Sequence, residues 1–168
     1  MKIRVGVFFG GKSVEHEVSV ISGLQAYNSF NRDKYDPVPV YITKDNELYT
    51  GEAIGDIANY KNIPALLNKS TRVFLMCEQG QVQLIQYPVK KFGNSVAAQI
   101  DVAFPVVHGA NVEDGSLQGF LRHYNIPFAG CDVAASAVTM DKYVMKTVLK
   151  DNGNPVLDCV TLNANEYE

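Results

Sequence analysis

Residues 3–9, IRVGVFF, form a β-rich run, apolar but for Arg4 near its start, that is closed by Gly10-Gly11. A run this rich in β-branched and aromatic side chains suits a strand buried on both faces, the central position of a parallel sheet. Beyond the glycines, Val14, Val18, Ile21 and Leu24 recur at helical spacing, which predicts a helix over residues 14–29 that buries those four. Ser13 stands where an N-cap belongs, and Glu15 and Glu17 complement the positive end of the helix. Residues 36–43, DPVPVYIT, complete a β-α-β unit, with prolines that a sheet accepts near an end or an edge.

The remaining chain continues the alternation. The pattern predicts a short strand at 47–50, a short helix near 54–60, and a hairpin of 73–77 with 82–86 around Gln79-Gly80. Residues 100–108, IDVAFPVVH, read as one strand, in which Pro105 argues against a fully paired central place. A helix follows Gly115, with Leu117, Phe120, Leu121 and Tyr124 on one face. A short strand at 126–129, helices at 133–139 and 141–151 and a strand at 156–162 complete the reading, with Asn152-Gly153 ending the last helix. Strands alternating with helices place the chain in the α/β class, with a mostly parallel sheet and flanking helices.

Composition narrows the function. Of 168 residues, 46% are apolar and 20% charged, an ordinary balance for a globular chain. A net charge of −3 gives no basic face for nucleic acid, and no apolar run is long enough to span a bilayer. Three scattered cysteines make neither a disulfide framework nor a metal motif, so reduced thiols, mostly packed as small apolar groups, and a cytoplasmic location are expected.

Residues 6–13, GVFFGGKS, match the phosphate-loop pattern G-x-x-x-x-G-K-[ST]. In such a loop the first glycine leaves the strand and the backbone N–H groups that follow surround the phosphates. Here Val7, Phe8 and Phe9 continue the strand, leaving a loop too short to encircle a triphosphate. The match is a decoy, and the spacing of Gly6, Gly10 and Gly11 is also wrong for a dinucleotide fingerprint. What remains is a glycine turn at the carboxyl end of a strand, where open α/β sheets bind ligands.

A second strand-to-helix turn, HGANVEDG at 108–115, carries His108, Gly109 and the carboxylates Glu113 and Asp114. Two readings fit each polar residue. Glu15 either complements the helix dipole or holds an ammonium group. His108 either bonds a neighbouring carbonyl or, with free backbone N–H groups, holds a carboxylate; Glu113 and Asp114 either cap the next helix or line a site. Lys142, Lys146 and Lys150 form a basic stripe, either a solvated face or, at the helix start, a point charge for phosphate.

Three blocks, GGKSVEHEVS (10–19), HGANVEDGSLQG (108–119) and GCDVAASAVTMDKYVMK (130–146), in this order resemble the N-terminal part of a D-alanine–D-alanine ligase. The resemblance implies a pre-ATP-grasp, Rossmann-like domain over residues 1–139 and the truncated beginning of an ATP-grasp central domain over 140–168. It implies an enzyme of peptidoglycan precursor synthesis, in which ATP, assisted by Mg2+, phosphorylates one D-alanine carboxylate. The amino group of a second D-alanine then displaces the phosphate. By motif position, Glu15 would hold the ammonium of the first D-alanine, His108 would meet its carboxylate, and Lys142 would approach the ATP phosphates. Gly10, Gly11 and Gly109 would allow close backbone approach. The resemblance further implies a homodimer, metal ligands outside this chain, and a portion inactive by itself. Val112 stands where the family commonly has glycine, which predicts a turn of different shape. The alternatives are a D-alanine–D-serine or D-alanine–D-lactate ligase, a stand-alone amino-acid-binding module, and a different ATP-grasp ligase. A dinucleotide-dependent oxidoreductase comes last.

Overall fold

The computed structural model describes residues 1–162 and 164–166. Strand β1 (Ile3–Gly10) lies inside the sheet, parallel to β2 (Tyr35–Ile42) on one side and to β7 (Val102–Pro105) on the other. Helix α1 (His16–Ser29) makes the crossover between β1 and β2. Strands β3 (Leu48–Thr50), β4 (Thr71–Glu78), β5 (Gln81–Gln86) and β6 (Val96–Ile100) then add antiparallel, giving the order β6-β5-β4-β3-β2-β1-β7. The α/β class with flanking helices is as expected. The parallel share is smaller, because short turns such as Gln79-Gly80 can join only antiparallel neighbours.

Strands β6 and β7 occupy opposite edges of the sheet, yet only Asp101 separates them. The sheet therefore curls until its two edges meet at this corner. Residues 100–108 are consequently not one strand: the chain changes partners at Asp101, from β5 to β1. Asp101 is clasped by Arg4, whose backbone N–H and Nε donate to Oδ2 at 2.7 and 3.1 Å while a terminal guanidinium nitrogen meets Oδ1 at 2.5 Å. The Asp101 N–H donates back to the Arg4 carbonyl at 2.8 Å.

Alternation along β1 separates two cores. Phe8, with Val40, Ile42, Leu75, Leu84 and Ile100, fills the inside of the curl, which helix α3 (Ser116–His123) closes with Leu117 and Leu121. Val5, Val7 and Phe9 face outward beneath α1 and the short α2 (Ile63–Asn68), packing with Leu24, Tyr41, Ile54 and Leu66. Pro105 ends an edge strand, and β3 pairs only with Val40–Ile42, so Pro37 and Pro39 lie outside that ladder.

Several elements differ from the sequence expectation. Helix α1 buries His16, Ser19, Val20, Gly23 and Leu24, while Val14, Val18 and Ile21 are exposed. Close packing decides the face, since a Cβ on Gly23 would come within 2.3 Å of the Phe9 Cβ. A helix this near its sheet needs small residues, which hydropathy does not score. Residue Glu15, not Ser13, is the N-cap, without a side-chain bond. Residues 54–60 form two 3-10 turns rather than a helix, and 126–129 contribute a single bridge, Ala103 to Phe128. Helices α4 (Val133–Met140) and α5 (Lys142–Asp151) stand where expected, each capped by an aspartate, Asp132 and Asp141. Residues 156–162 form no strand; the expected second domain's residues 163, 167 and 168 lie outside the described residues. Cys77 is half-buried but Cys131 and Cys159 are exposed, so two of the thiols are not packed as expected.

The hydrogen bonds from Arg4 hold the Asp101 carboxyl below the usual carboxylate range. A carboxyl depressed by folding contributes stability above its unfolded pKa of about 3.9 and loses it as pH falls through the folded value. Asp101→Asn is expected to lower stability by about 1 kcal/mol at pH 7, limited by solvent exposure. The difference from the unsubstituted protein should shrink below about pH 4, measured by urea unfolding across pH.

Candidate functional site

Two turns meet at the carboxyl ends of β1 and β7. Their joint is Ser19, fully buried on α1: its Oγ accepts from the Gly10 N–H at 2.9 Å and donates to the Val106 carbonyl at 2.8 Å. Asn111 Nδ2 donates to the Lys12 carbonyl at 3.0 Å, and His108 Nε2 meets Ser22 Oγ at 2.8 Å, so the second turn is tied to both the first turn and α1. Glycine is required where the turns touch. A Cβ on Gly11 (φ +97°) would lie 2.5 Å from Val112 Cγ1, and one on Gly109 (φ +88°) would lie 2.3 Å from Ser13 Oγ. Val112 is buried in this contact, and Asn111 (φ +68°) takes the left-handed conformation that a glycine would otherwise supply.

The structure brings Glu15, His108 and Glu113 together, with one ligating atom of each within 4.8 Å of the others. Glu15 is exposed and His108 partly buried. Glu113 Oε2 accepts from the Gly109 N–H at 2.5 Å, which braces the turn. Two carboxylates beside an imidazole suit a compact cation, whether an ammonium group or a divalent metal ion. Asp114 braces the turn before α3, whose N-cap is Gly115, accepting from the Ser116 and Asn111 N–H groups at 3.0 and 2.8 Å. Burial opposes its ionisation, but these hydrogen bonds outweigh burial and hold its carboxyl below the usual range.

Three of the backbone N–H groups in these turns are not free for a ligand. Those of Gly10, Gly11 and Gly109 are taken by Ser19 Oγ, the Ile42 carbonyl and Glu113. The glycines act through close approach instead. His16, in the first turn of α1, is buried, with Nδ1 2.7 Å from the Gly11 carbonyl and Nε2 3.0 Å from the Tyr41 hydroxyl. Because a carbonyl only accepts, Nδ1 donates. Burial pushes the Tyr41 hydroxyl up to about 12, so it stays protonated and donates to Nε2.

Lys142 opens α5 and lines a pocket of about 360 Å³ between that helix and the end of β7. It is not in the three-residue cluster, but Glu113 belongs to both. Lys146 Nζ donates to the Leu157 carbonyl, so the basic stripe is not one functional unit. Gln118 and Ser136, which the sequence did not single out, are buried in the wall of the same pocket. Gln118 could have been found as a polar residue beside Leu117 and Leu121 on a buried face. A pocket of about 400 Å³ across α1, lined by His16, Tyr41, Ile57 and Tyr60 among others, contains none of the expected site residues.

The pin makes a quantitative prediction. Ser19→Ala leaves the buried Gly10 N–H and the partly buried Val106 carbonyl without their shared partner, at a cost of about 1–3 kcal/mol. Its urea midpoint should fall accordingly with an unchanged m-value.

Residues 4–131 match the family described as D-ala D-ala ligase N-terminus. The chain is 38% identical over 156 residues to a D-alanine–D-alanine ligase of Thermosipho melanesiensis, covering 93% of this chain and 42% of that protein. Its fold resembles the D-alanine–D-alanine ligase of Coxiella burnetii (31% identity, TM-score 0.77, 94% of this chain and 43% of that one). It also resembles a D-Ala:D-Ser ligase of Enterococcus faecalis (29% identity, TM-score 0.70, 91% and 43%). The chain thus spans less than half the length of each of these proteins.

Proposed function

Since the chain belongs to the D-alanine–D-alanine ligase family and matches its N-terminal region, we propose that it forms the amino-acid-binding part of an ATP-dependent enzyme that joins two D-alanines for peptidoglycan. The observation that carries this reading is the convergence of Glu15, His108 and Glu113 at the carboxyl end of the parallel strands. The Glu15 carboxylate attracts the ammonium of the first D-alanine. His108, held by Ser22, meets the carboxylate that is to be activated.

Bound ATP supplies the phosphoryl group that activates that carboxylate, and Mg2+ offsets its charge. Among the residues of this chain, Lys142 fits the phosphates: it is a flexible point charge in the pocket that begins at Glu113. The reading divides the chain at 139/140. In support, the family match ends at residue 131, and Val144, Val148, Leu157 and Val160 are exposed, as suits the opening of a further domain. The proposed enzyme uses soluble substrates and works in the cytoplasm; among the described residues no helix is long and apolar enough to cross a membrane. Exposed Val14, just before α1, and Val18 and Ile21 on it offer an apolar surface for the expected homodimer. The second amino acid, D-alanine here and D-serine or D-lactate in the alternatives, is not addressed by this cluster.

The test is D-alanine-dependent phosphate release from ATP, with dipeptide as product, by the protein expressed in its natural reading frame. Glu15→Gln is expected to lower kcat/KM for D-alanine by roughly 100-fold while leaving the KM for ATP within about twofold. Unchanged D-alanine kinetics in this variant would remove Glu15 from the site.

A further inference from the structure

The pocket shared by Glu113 and Lys142 contains a polar group that nothing above uses. Gln118 is 8% exposed, and among the described residues its Oε1 is a buried side-chain acceptor without a hydrogen-bond partner. Buried acceptors are almost always paired, so an orphan in a pocket wall marks where a donor arrives. Gln118 cannot readily turn to solvent, because its neighbours Leu117 and Leu121 seat α3 in the core.

The surroundings define the donor. Glu113 lies in the same pocket and within 4.8 Å of Glu15 and His108, so negative charge is concentrated at that end. Lys142 places positive charge in the pocket as well. A small molecule that carries an ammonium group and an anionic group matches this arrangement, the ammonium lying toward the acceptors. Building on the ligase reading, we propose that Gln118 is a substrate-positioning residue: its Oε1 accepts a hydrogen bond from the ammonium of the first amino acid, opposite the carboxylates. Two carboxylates attract any cation. A fixed amide oxygen adds a direction, selecting an ammonium whose third proton points toward α3. The ligand-free protein then carries an unpaired acceptor that substrate relieves.

This makes stability and binding move apart. Gln118→Met, similar in length and without the acceptor, is expected to raise the half-saturating D-alanine concentration about tenfold. The ATP requirement should stay within about twofold, and the ligand-free melting temperature should be unchanged or higher. Gln118→Glu retains acceptor oxygens and should keep the D-alanine requirement within about threefold of the unsubstituted protein. Steady-state kinetics and thermal melts of the protein in its natural reading frame decide the matter. An unchanged D-alanine requirement in Gln118→Met would overturn the proposal. So would a lower melting temperature with equal losses for both substrates, which would make the residue structural. A rise confined to ATP would assign the donor to Lys142 and overturn it too. Absence of dipeptide synthesis by the unsubstituted protein would instead remove the ligase reading, and this inference with it.

Discussion

The hydroxyl of Ser19 joins two strand ends that the chain makes nearly a hundred residues apart. It takes the Gly10 N–H from the end of β1 and gives its proton to the Val106 carbonyl beyond β7. Both partners are backbone groups at points where ladder pairing runs out, so the buried Gly10 N–H and the partly buried Val106 carbonyl would otherwise lack a protein partner. The residue that satisfies them must be small, buried and able to donate and accept at once, which describes serine. Glu15 leads into the same helix, and His108 follows the second strand end. The cluster of Glu15, His108 and Glu113 is therefore spaced in part by this side chain, together with the Asn111–Lys12 and His108–Ser22 hydrogen bonds.

The curled sheet supplies the rigidity behind that pin. Because β6 passes into β7 through Asp101 alone, the parallel strands that carry the site are also the closure of the curl. Arg4 holds the corner at the far end of β1 from the glycine turn. A strand fixed at both ends lets two loops of unlike sequence interlock, Gly11 against Val112 and Gly109 against Ser13. Within the interlock the N–H groups of Gly10, Gly11 and Gly109 are taken by protein acceptors. The proposed reading assigns ligand recognition to side chains: carboxylates, an imidazole, a lysine and the unpaired Gln118 oxygen. The proposed handling of an amino acid by charge follows from that division.

The sequence was most legible where local patterning and tertiary packing agree. The apolar run of β1, the β4–β5 hairpin, the aspartate-capped α4 and α5 and both glycine turns could be read directly. The pattern of GVFFGGKS misled only as a regular expression, since Val7, Phe8 and Phe9 are fully buried in β1. The buried face of α1 was not legible, because contact with Phe9 selects Gly23, and two backbone partners select Ser19, over Val18 and Ile21. The break at Asp101 was hidden for a related reason: a change of partner strand leaves the apolar pattern on both sides intact. The site residues Glu15, His108, Gly11, Gly109 and Lys142 came from the motif blocks. Ser19 was present in those blocks without being read, since a pin between two distant strand ends has no local signature.

The central claim is that the two turns form one amino-acid site. It is tested most directly by a crystal structure of the protein, in its natural reading frame, with D-alanine. The account predicts the ammonium within hydrogen-bond distance of Glu15, the carboxylate beside His108, and both turns little moved. D-alanine seated instead across α1, against Tyr41 and Tyr60, with Glu15 and His108 free of it, would contradict the account.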